Sequence, residues 1–418
     1  MTTKKTVEEK YKKHELKNHI LTLPDTYIGS CESTLLKLYL YNNDDKKMVE
    51  REIMYVPGLL KIFDEIIVNA IDHAMRLKSE AKDGKENIKH TKNIKVTINK
   101  ESGYITIYND GDGIDVEKHA TYNDIWVPEL IFGELLTSTN YDKNEEKIWG
   151  GKNGYGAKLT NIFSKEFTIE TIDHNRKRSY IQIFKNNLSE KDKPVIKASS
   201  KAPYTQITFL PDYERFGLQN ITDDIYDLFH RRIIDCCATT EKEVSVYFND
   251  EKLAIKDFEK YSELFLEKES QPHVYENVNE RWEVVVALSK TGIYEQISFV
   301  NGINTLRGGK HVDYITNMVV KNLCETALAK KKKTIKPQHI KDNIFIFIKS
   351  IIVNPSFDSQ SKETLTTPVA KFGSKCELSD KFFDKLYGYY NNPFEVAAFG
   401  NEKKYYKKAW RSISPLLY

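Results

Sequence analysis

The chain has 418 residues, 40% of them hydrophobic, and a formal net charge of only +3. That length accommodates two or three domains of roughly 100–200 residues with ample buried cores, and the near-neutral balance excludes a polycation that coats nucleic acid through bulk charge. The 5 cysteines include the neighbours Cys236 and Cys237 but form no C-x-x-C pair, which fits a reducing compartment and leaves structural zinc without support.

Residues 1–30 begin polar and lysine-rich, unlike an ordinary secretory signal, and run into Leu23-Pro-Asp-Thr-Tyr-Ile-Gly29. A helical pattern follows. Glu65, Asn69, Asp72, His73 and Arg76 fall at i, i+4, i+7, i+8 and i+11, which is one narrow polar stripe at helical periodicity. The rest of that helix is apolar: Leu59, Leu60, Phe63, Ile66, Ile67, Val68 and Ile71. Such a stripe is either the wet side of a helix or the wall of a site. One carboxylate, one amide and one guanidinium on a line suit a metal-bound polyphosphate, since the acid polarises water, the amide oxygen ligates Mg2+ and the Arg holds phosphate.

Ile94/Val96/Ile98 and Ile105/Ile107, joined through Glu101-Ser102-Gly103, read as a hairpin. Tyr108-Asn-Asp-Gly-Asp-Gly-Ile114 comes directly after it, with two glycines that let backbone approach a flat ligand closely. A second glycine block, Gly150-Gly-Lys-Asn-Gly-Tyr-Gly-Ala-Lys158, opens another helix, and free N–H groups at such a start face an anion. It is not a P-loop, because Ala157 and Lys158 stand where Lys and Ser/Thr belong. It is not a dinucleotide turn either, because Leu159 replaces the third glycine. No H-E-x-x-H or G-x-S-x-G occurs, so zinc peptidase and serine hydrolase chemistry have no support.

Lys185 to Lys201 reads as a polar surface excursion, and the charged stretch from Asp257 to Gln271 as a domain boundary. Beyond it, Trp282–Ala287 and Ile344–Ile348 read as strands, with a helix from His311 to about Ala329 between them. The apolar run Ile344–Val353 is too short to span a bilayer and is broken by Lys349 and Ser350, so no membrane association is expected. Lys330, Lys331, Lys332 and Lys333 form the densest cationic run. Such a run is most often a solvated loop.

Taken in order, the acidic helix and the two glycine blocks resemble the GHKL nucleotide-binding fold of type II topoisomerases, mismatch-repair ATPases, heat-shock chaperones and histidine kinases. Longer signatures narrow this. Ile20-Leu-Thr-Leu-Pro-Asp-Thr-Tyr-Ile-Gly-Ser30, Val56-Pro-Gly-Leu-Leu-Lys-Ile-Phe-Asp-Glu65, Leu135-Leu-Thr-Ser-Thr-Asn-Tyr141, Gly308-Gly-Lys-His-Val-Asp-Tyr314 and Asn354-Pro-Ser-Phe-Asp-Ser-Gln-Ser-Lys-Glu363 resemble the eukaryotic-type (type IIA) DNA topoisomerase II family.

The resemblance implies an α/β (α+β) chain: an N-terminal arm over 1–30, a GHKL (Bergerat) ATPase sandwich over 31–262 with an antiparallel-rich sheet and helices on one face, and a transducer domain of ribosomal-protein-like βαβ type over 263–418. It also implies roles. Glu65 matches the general base, Asn69 the Mg2+ ligand and Asn109 the reader of the adenine edge. Ser138, Thr139 and Asn140 match a loop on sugar and phosphate. Gly151, Lys152, Asn153, Gly154, Tyr155, Gly156, Ala157 and Lys158 match a lid over the triphosphate. Gln360 and Lys362 match the pair that reaches the γ-phosphate from the second domain. Arg76 and His73 complete the nucleotide wall. Three positions depart from the family pattern: His73 stands where Asn is common, Lys152 where Arg is common, and Gln-Ser-Lys replaces Gln-Thr-Lys at 360–362. An unperturbed imidazole at 73 would titrate near pH 6.5.

The implied activity is that of the ATP-dependent gate of a type II topoisomerase, with ATP and Mg2+ as cofactors. An ATP-dependent homodimer, its arms crossing the two-fold, would capture double-stranded DNA. Lys330–Lys333 lies at the position of a DNA-contacting loop in that family. No Glu-Gly-Asp-Ser-Ala block or Asp-x-Asp-x-Asp triad appears, so DNA cleavage would rest with a TOPRIM-containing core outside this chain. An intracellular location follows, in a nucleus or, for a virus, in a cytoplasmic factory or virion. A mismatch-repair-type ATPase clamp and a nucleotide-sensing interaction module without enzyme activity are the alternatives.

Overall fold

The computed structural model describes residues 16–122, 124–135, 148–150, 156–267, 271–332 and 334–391. A short helix, α1 (Leu16–Thr22), precedes a long hairpin of β1 (Thr34–Asn42) and β2 (Lys47–Tyr55). One face of the hairpin buries Leu40, Ile53 and Tyr55 against Leu228, while Leu35 and Met54 remain exposed.

Helix α2 (Pro57–Lys82) begins where Val56 is still extended and Pro57 takes the first helical position, a place that needs no backbone N–H. Its apolar residues Leu59, Ile62, Phe63, Ile66, Ile67 and Ile71 are fully buried. They lie in one core with Ile94, Val96 and Ile98 of β3 (Asn93–Ile98) and Ile105 and Ile107 of β4 (Ile105–Asp110). The expected hairpin is present: β3 and β4 pair antiparallel, and the turn closes with Gly103 N–H donating to Asn99 O at 2.9 Å. The period-2 alternation turns Lys95 and Thr97 to the opposite, exposed face.

After α3 (Val127–Gly133) and α4 (Gly156–Ile162), the sheet continues with β5 (Ser164–Asp173), β6 (Arg178–Lys185), β7 (Glu190–Lys191), β8 (Val195–Ala198) and β9 (Tyr204–Pro211). Helix α5 (Asp223–Thr239) leads to β10 (Ser245–Phe248) and β11 (Glu251–Lys252). The spatial order is β11-β10-β3-β4-β9-β5-β6-β7, with β8 also beside β6. Every pairing is antiparallel except β3 with β10. Phe63 of α2 stacks on Phe229 of α5 at 3.9 Å between ring centres, which ties the two long helices over the sheet.

The segment 185–201 is polar and largely at the surface, as expected, but it carries strands that its composition does not indicate. It is an edge of the sheet, formed by β7 and β8 pairing with β6. Glu190, Lys191 and most of β8 are exposed, so their pairing rests on backbone bonds and leaves no apolar alternation in the sequence to reveal it.

The charged stretch from Asp257 is also more ordered than its composition indicates. Asp257 accepts a bond from Lys260 N at 2.8 Å and caps α6 (Phe258–Glu263). Phe258, Tyr261, Phe265 and Leu266 are buried with Met48, Val285, Phe299 and Phe347. A wet face and an aromatic face alternate here, and the aromatic face joins the two halves of the molecule.

The second sheet has the order β12-β13-β16-β14-β15, from β12 (His273–Asn279), β13 (Trp282–Leu288), β14 (Glu295–Val300), β15 (Ile303–Asn304) and β16 (Ile344–Ser350). β14 and β16 are parallel and are linked through α7 (Lys310–Lys331) and α8 (Pro337–Asp342), the expected βαβ arrangement. Helix α9 (Asp380–Asn391) packs Phe382, Phe383, Leu386 and Tyr387 into the same core. Among the described residues, no helix is long and apolar enough to cross a membrane.

The lysine run is not a loop throughout. Lys330 and Lys331 close α7 and Lys332 caps it in the left-handed conformation. Lys330 Nζ is 3.1 Å from Asp384 Oδ1 and lies over the Tyr387 ring. Cations in a last helical turn offset the partial negative charge of the free carbonyls. Lys333 lies outside the described residues.

Candidate active site

The polar stripe of α2 runs from the core into solvent. Glu65 is 4% exposed, Asp72 and His73 are half-buried, and Asn69 and Arg76 are exposed. Glu65 forms an ion pair with Lys61, one helical turn before it, and lies 3.8 Å from the Nζ of Lys362. Lys362 is itself buried and donates to Gly150 O at 3.1 Å. Two distant pieces of chain thus meet at one carboxylate. Burial pushes the Glu65 carboxyl up, but the Lys61 and Lys362 ammoniums outweigh it and hold the group at about 2. Burial draws the Lys362 ammonium down and Lys61 adds to this, while Glu65, Asp64 and Asp72 oppose it.

Gly156 begins α4 directly against this acid. A Cβ there would overlap Glu65 Oε2, so any larger residue would force the carboxylate out of this position. Ala157 and Lys158 follow, both buried. Burial pulls the Lys158 ammonium down to about 8, against the opposing charge of Glu134. Gly150 N–H donates to Asp72 Oδ1 at 2.8 Å, which fixes the start of the glycine-rich segment to α2.

His73 bridges α2 to the first glycine block. Its Nε2 donates to Asp112 O at 2.7 Å, and its Nδ1 accepts from Arg76 Nη2 at 2.8 Å. Burial and the Arg76 charge pull its pKa down to about 3, against the Asp112 bond. The imidazole is therefore neutral and its tautomer is fixed; it does not titrate near pH 6.5. Asn109, nearly buried on β4, sits opposite Ile94 on one side and Thr205 on the other. Its Nδ2 donates to Asp110 O at 3.2 Å. Thr171 Oγ1 accepts from Ile114 N at 3.0 Å and holds the end of the Gly-Asp-Gly turn.

Lys362 stands on a tight turn at φ +61, with its N–H donating to Ser359 O at 3.2 Å. Gln360 is half-buried on that turn. The Gly308-Gly309 pair explains how the turn is held. Leu365 N donates to Gly308 O at 3.0 Å, and Lys310 N donates to Leu365 O at 3.0 Å. Gly309 has φ +128, and a Cβ on it would overlap the Leu365 backbone.

Sequence reasoning placed Glu65, Lys362 and Gly156 in one site, and the structure brings these three together. Ser138, Thr139, Asn140, Gly151, Lys152, Asn153, Gly154 and Tyr155 lie outside the described residues. Lys61 was missed, although its spacing of four from Glu65 was visible. Asp72 was seen in the stripe but not as the anchor of Gly150, and nothing local marks Thr171. Among the described residues, no three His, Cys, Asp or Glu side chains cluster as a metal cage. The exposed Asn69 amide, one turn from Glu65, is a hard oxygen donor, which fits an ion such as Mg2+ that takes few protein ligands beside phosphates and water.

An acidic helix over a mixed sheet, with a glycine turn behind it and Gly150 and Gly156 against it, is the arrangement of a GHKL-type ATPase fold. The sequence profile described as "Histidine kinase-, DNA gyrase B-, and HSP90-like ATPase" matches residues 55–211, and the profile "DNA gyrase B" matches residues 242–411. The DNA topoisomerase 2 of Acanthamoeba polyphaga mimivirus is 48% identical over 388 residues, covering 90% of this chain and 30% of that protein. The enzyme of Saccharomyces cerevisiae is 44% identical over 396 residues, covering 90% of this chain and 27% of that protein. The chain thus spans less than a third of the length of either relative. The crystal structure of the yeast topoisomerase II ATPase region superposes with a TM-score of 0.84 at 43% identity, covering 94% of this chain and 98% of that one. The ATPase and transducer domains from Balamuthia mandrillaris superpose at 0.85 with 40% identity, covering 98% and 99%. The chain belongs to the DNA topoisomerase II family and corresponds to its ATPase and transducer region.

Proposed function

We propose that this chain binds and hydrolyses ATP as the entry gate of a type II DNA topoisomerase. The observation that carries the reading is the meeting of Glu65 and Lys362 at 3.8 Å. Phosphoryl transfer asks a protein mainly for positioning and charge stabilisation. In that reading Glu65 orients the attacking water, and Lys362 with Gln360 moves onto the terminal phosphate. The Glu65 carboxylate, held at about 2 by two lysines, is a weak base while both remain. A γ-phosphate that takes Lys362 leaves it only Lys61.

Asn109 faces the base, with the neutral His73 fixing the glycine turn beneath it. Arg76 lies at the solvent end of the wall, and Gly156, Ala157 and Lys158 approach the phosphates. Asn69 would hold Mg2+, which when bound neutralises charge on the β- and γ-oxygens. Closure of an ATP-dependent homodimer would then capture double-stranded DNA, with cleavage performed by a TOPRIM-containing core. Division into an ATPase unit up to about 262 and a transducer unit after it is consistent with the two sheets. DNA as substrate places the activity inside a cell or virus particle.

The test is steady-state ATPase on the purified chain. Glu65→Ala should retain ATP binding and lose turnover by roughly 10²–10⁴-fold. Parental turnover in that variant contradicts the assignment.

A further inference from the structure

We propose that the Asn301-Gly302 turn of the second sheet is a positioning element for catalysis, joining the catalytic helix, the start of the glycine-rich segment and the strand that leads to Lys362. The proposal rests on the reading of Glu65 and Lys362 as the hydrolytic pair.

The turn links β14 to β15, with Asn301 at φ +50 and Gly302 at φ +76. Asn301 is fully buried, and its amide spends both ends on other segments. Oδ1 accepts from Ile352 N at 2.8 Å, and Nδ2 donates to Ile352 O at 2.9 Å. Nδ2 also makes a longer bond of 3.4 Å to Trp149 O. Trp149 precedes Gly150, whose carbonyl accepts from Lys362 and whose N–H donates to Asp72 on α2.

The second half of the turn reaches the same helix by another route. Gly302 O accepts from Arg232 Nη2 at 2.9 Å, and Arg232 Nε pairs with Asp64, the residue before Glu65. Arg232 is buried. Helix α2 is thus held at Asp64 and, two turns on, at Asp72, and both attachments lead back to residues 301 and 302. Ile352 stands on the same chain segment as Lys362, so a shift of the turn moves both members of the catalytic pair. Displacement by about 1 Å of a group far from the chemistry can cost on the order of 100-fold in rate.

The test uses the full chain and ATPase kinetics. Asn301→Gly keeps the positive φ and removes all three side-chain bonds. Its kcat should fall by about 10- to 100-fold with KM for ATP within about threefold of the parent. Asn301→Asp keeps the acceptor for Ile352 N but sets oxygen against the carbonyls of Ile352 and Trp149, and it should not restore kcat. Ser298→Ala is the control for general loosening, because among the described residues the buried Ser298 hydroxyl bonds only to Thr305, just past the end of β15; its kcat should stay within about twofold. Asn301→Gly turning over within twofold of the parent, or losing no more than Ser298→Ala, overturns the proposal.

Should Asn301→Gly not fold, hydrogen exchange on the parent decides. A non-hydrolysable ATP analogue should slow exchange in peptides covering 296–305 and 350–355 together with 148–150. Slowing confined to 148–150 overturns it. A parent without ATPase, or Glu65→Ala with full ATPase, would instead defeat the catalytic reading itself.

Discussion

Removing Lys61 should expose how the buried acid is held. In Lys61→Met the hydrocarbon stem is replaced and the ammonium nearest Glu65 is lost. Breaking a buried ion pair from one side typically costs about 3–5 kcal/mol. Two features favour the lower end. Lys362 remains 3.8 Å away, worth about 4 kcal/mol before desolvation at an effective dielectric of about 20. A cavity of about 280 Å³ also borders Lys61, Asp64, Arg231 and Arg232, from which water can reach the vacated position. The pKa gives a similar size: a carboxyl held at about 2, against about 4.3 when unfolded, is worth about 3 kcal/mol at neutral pH. Its folded value is depressed, so this stabilisation is present above about pH 4.3 and is lost as pH falls through about 2. In Lys61→Met the folded value rises and the loss begins at higher pH. Thermal unfolding of the ATPase domain should shift down by roughly 6–12 °C, and Lys61→Met with Glu65→Gln should recover most of it. A single variant melting within about 2 °C of the parent, or a double variant melting no higher than the single, would refute the pairing as the origin of the stability.

Gly156→Ala places a methyl against Glu65 Oε2 and should lower ATP turnover by at least about 100-fold; turnover within threefold of the parent, by the same assay, would show that the acid can move aside. His73, pulled down to about 3, should show no imidazole titration by NMR between about pH 5 and 8. Its folded value is depressed, so its contribution to stability is full above about pH 6.5 and falls as acid protonates the unfolded chain; a titration near 6.5 in the folded protein contradicts the bridge to Asp112. Replacing Lys330, Lys331, Lys332 and Lys333 with Ala should reduce the log–log salt slope of DNA binding by about 3, less than four full contacts because Lys330 already pairs with Asp384. An unchanged slope would leave the run as a helix terminus alone.

The period of α2, the β3–β4 hairpin and the α7 helix were legible because each buries one face, and one-sided burial writes a period into the sequence. The strands at 282 and 344 were legible as short apolar runs, because their two faces are buried in separate cores. Glu65 was legible for a related reason: a charged residue amid an apolar run requires a partner or a purpose. The edge strands at 190 and 195 left no such trace, because they pair through backbone and are largely exposed, with only Ile196 partly buried against the core. The helix at 258 was masked by charges on its wet side.

The amino-acid order alone determined which chemistry is available: one acid, one amide and one guanidinium on a helix, glycines at two close approaches, and a lysine far along the chain. Only the tertiary structure decided that Lys61 and Lys362 share the same carboxylate, that His73 is neutral between Asp112 and Arg76, and that an asparagine of the second sheet reaches Trp149 and Ile352. Local patterning encodes how each segment meets water, whereas the protonation of a buried group depends on charges that folding brings from elsewhere in the chain.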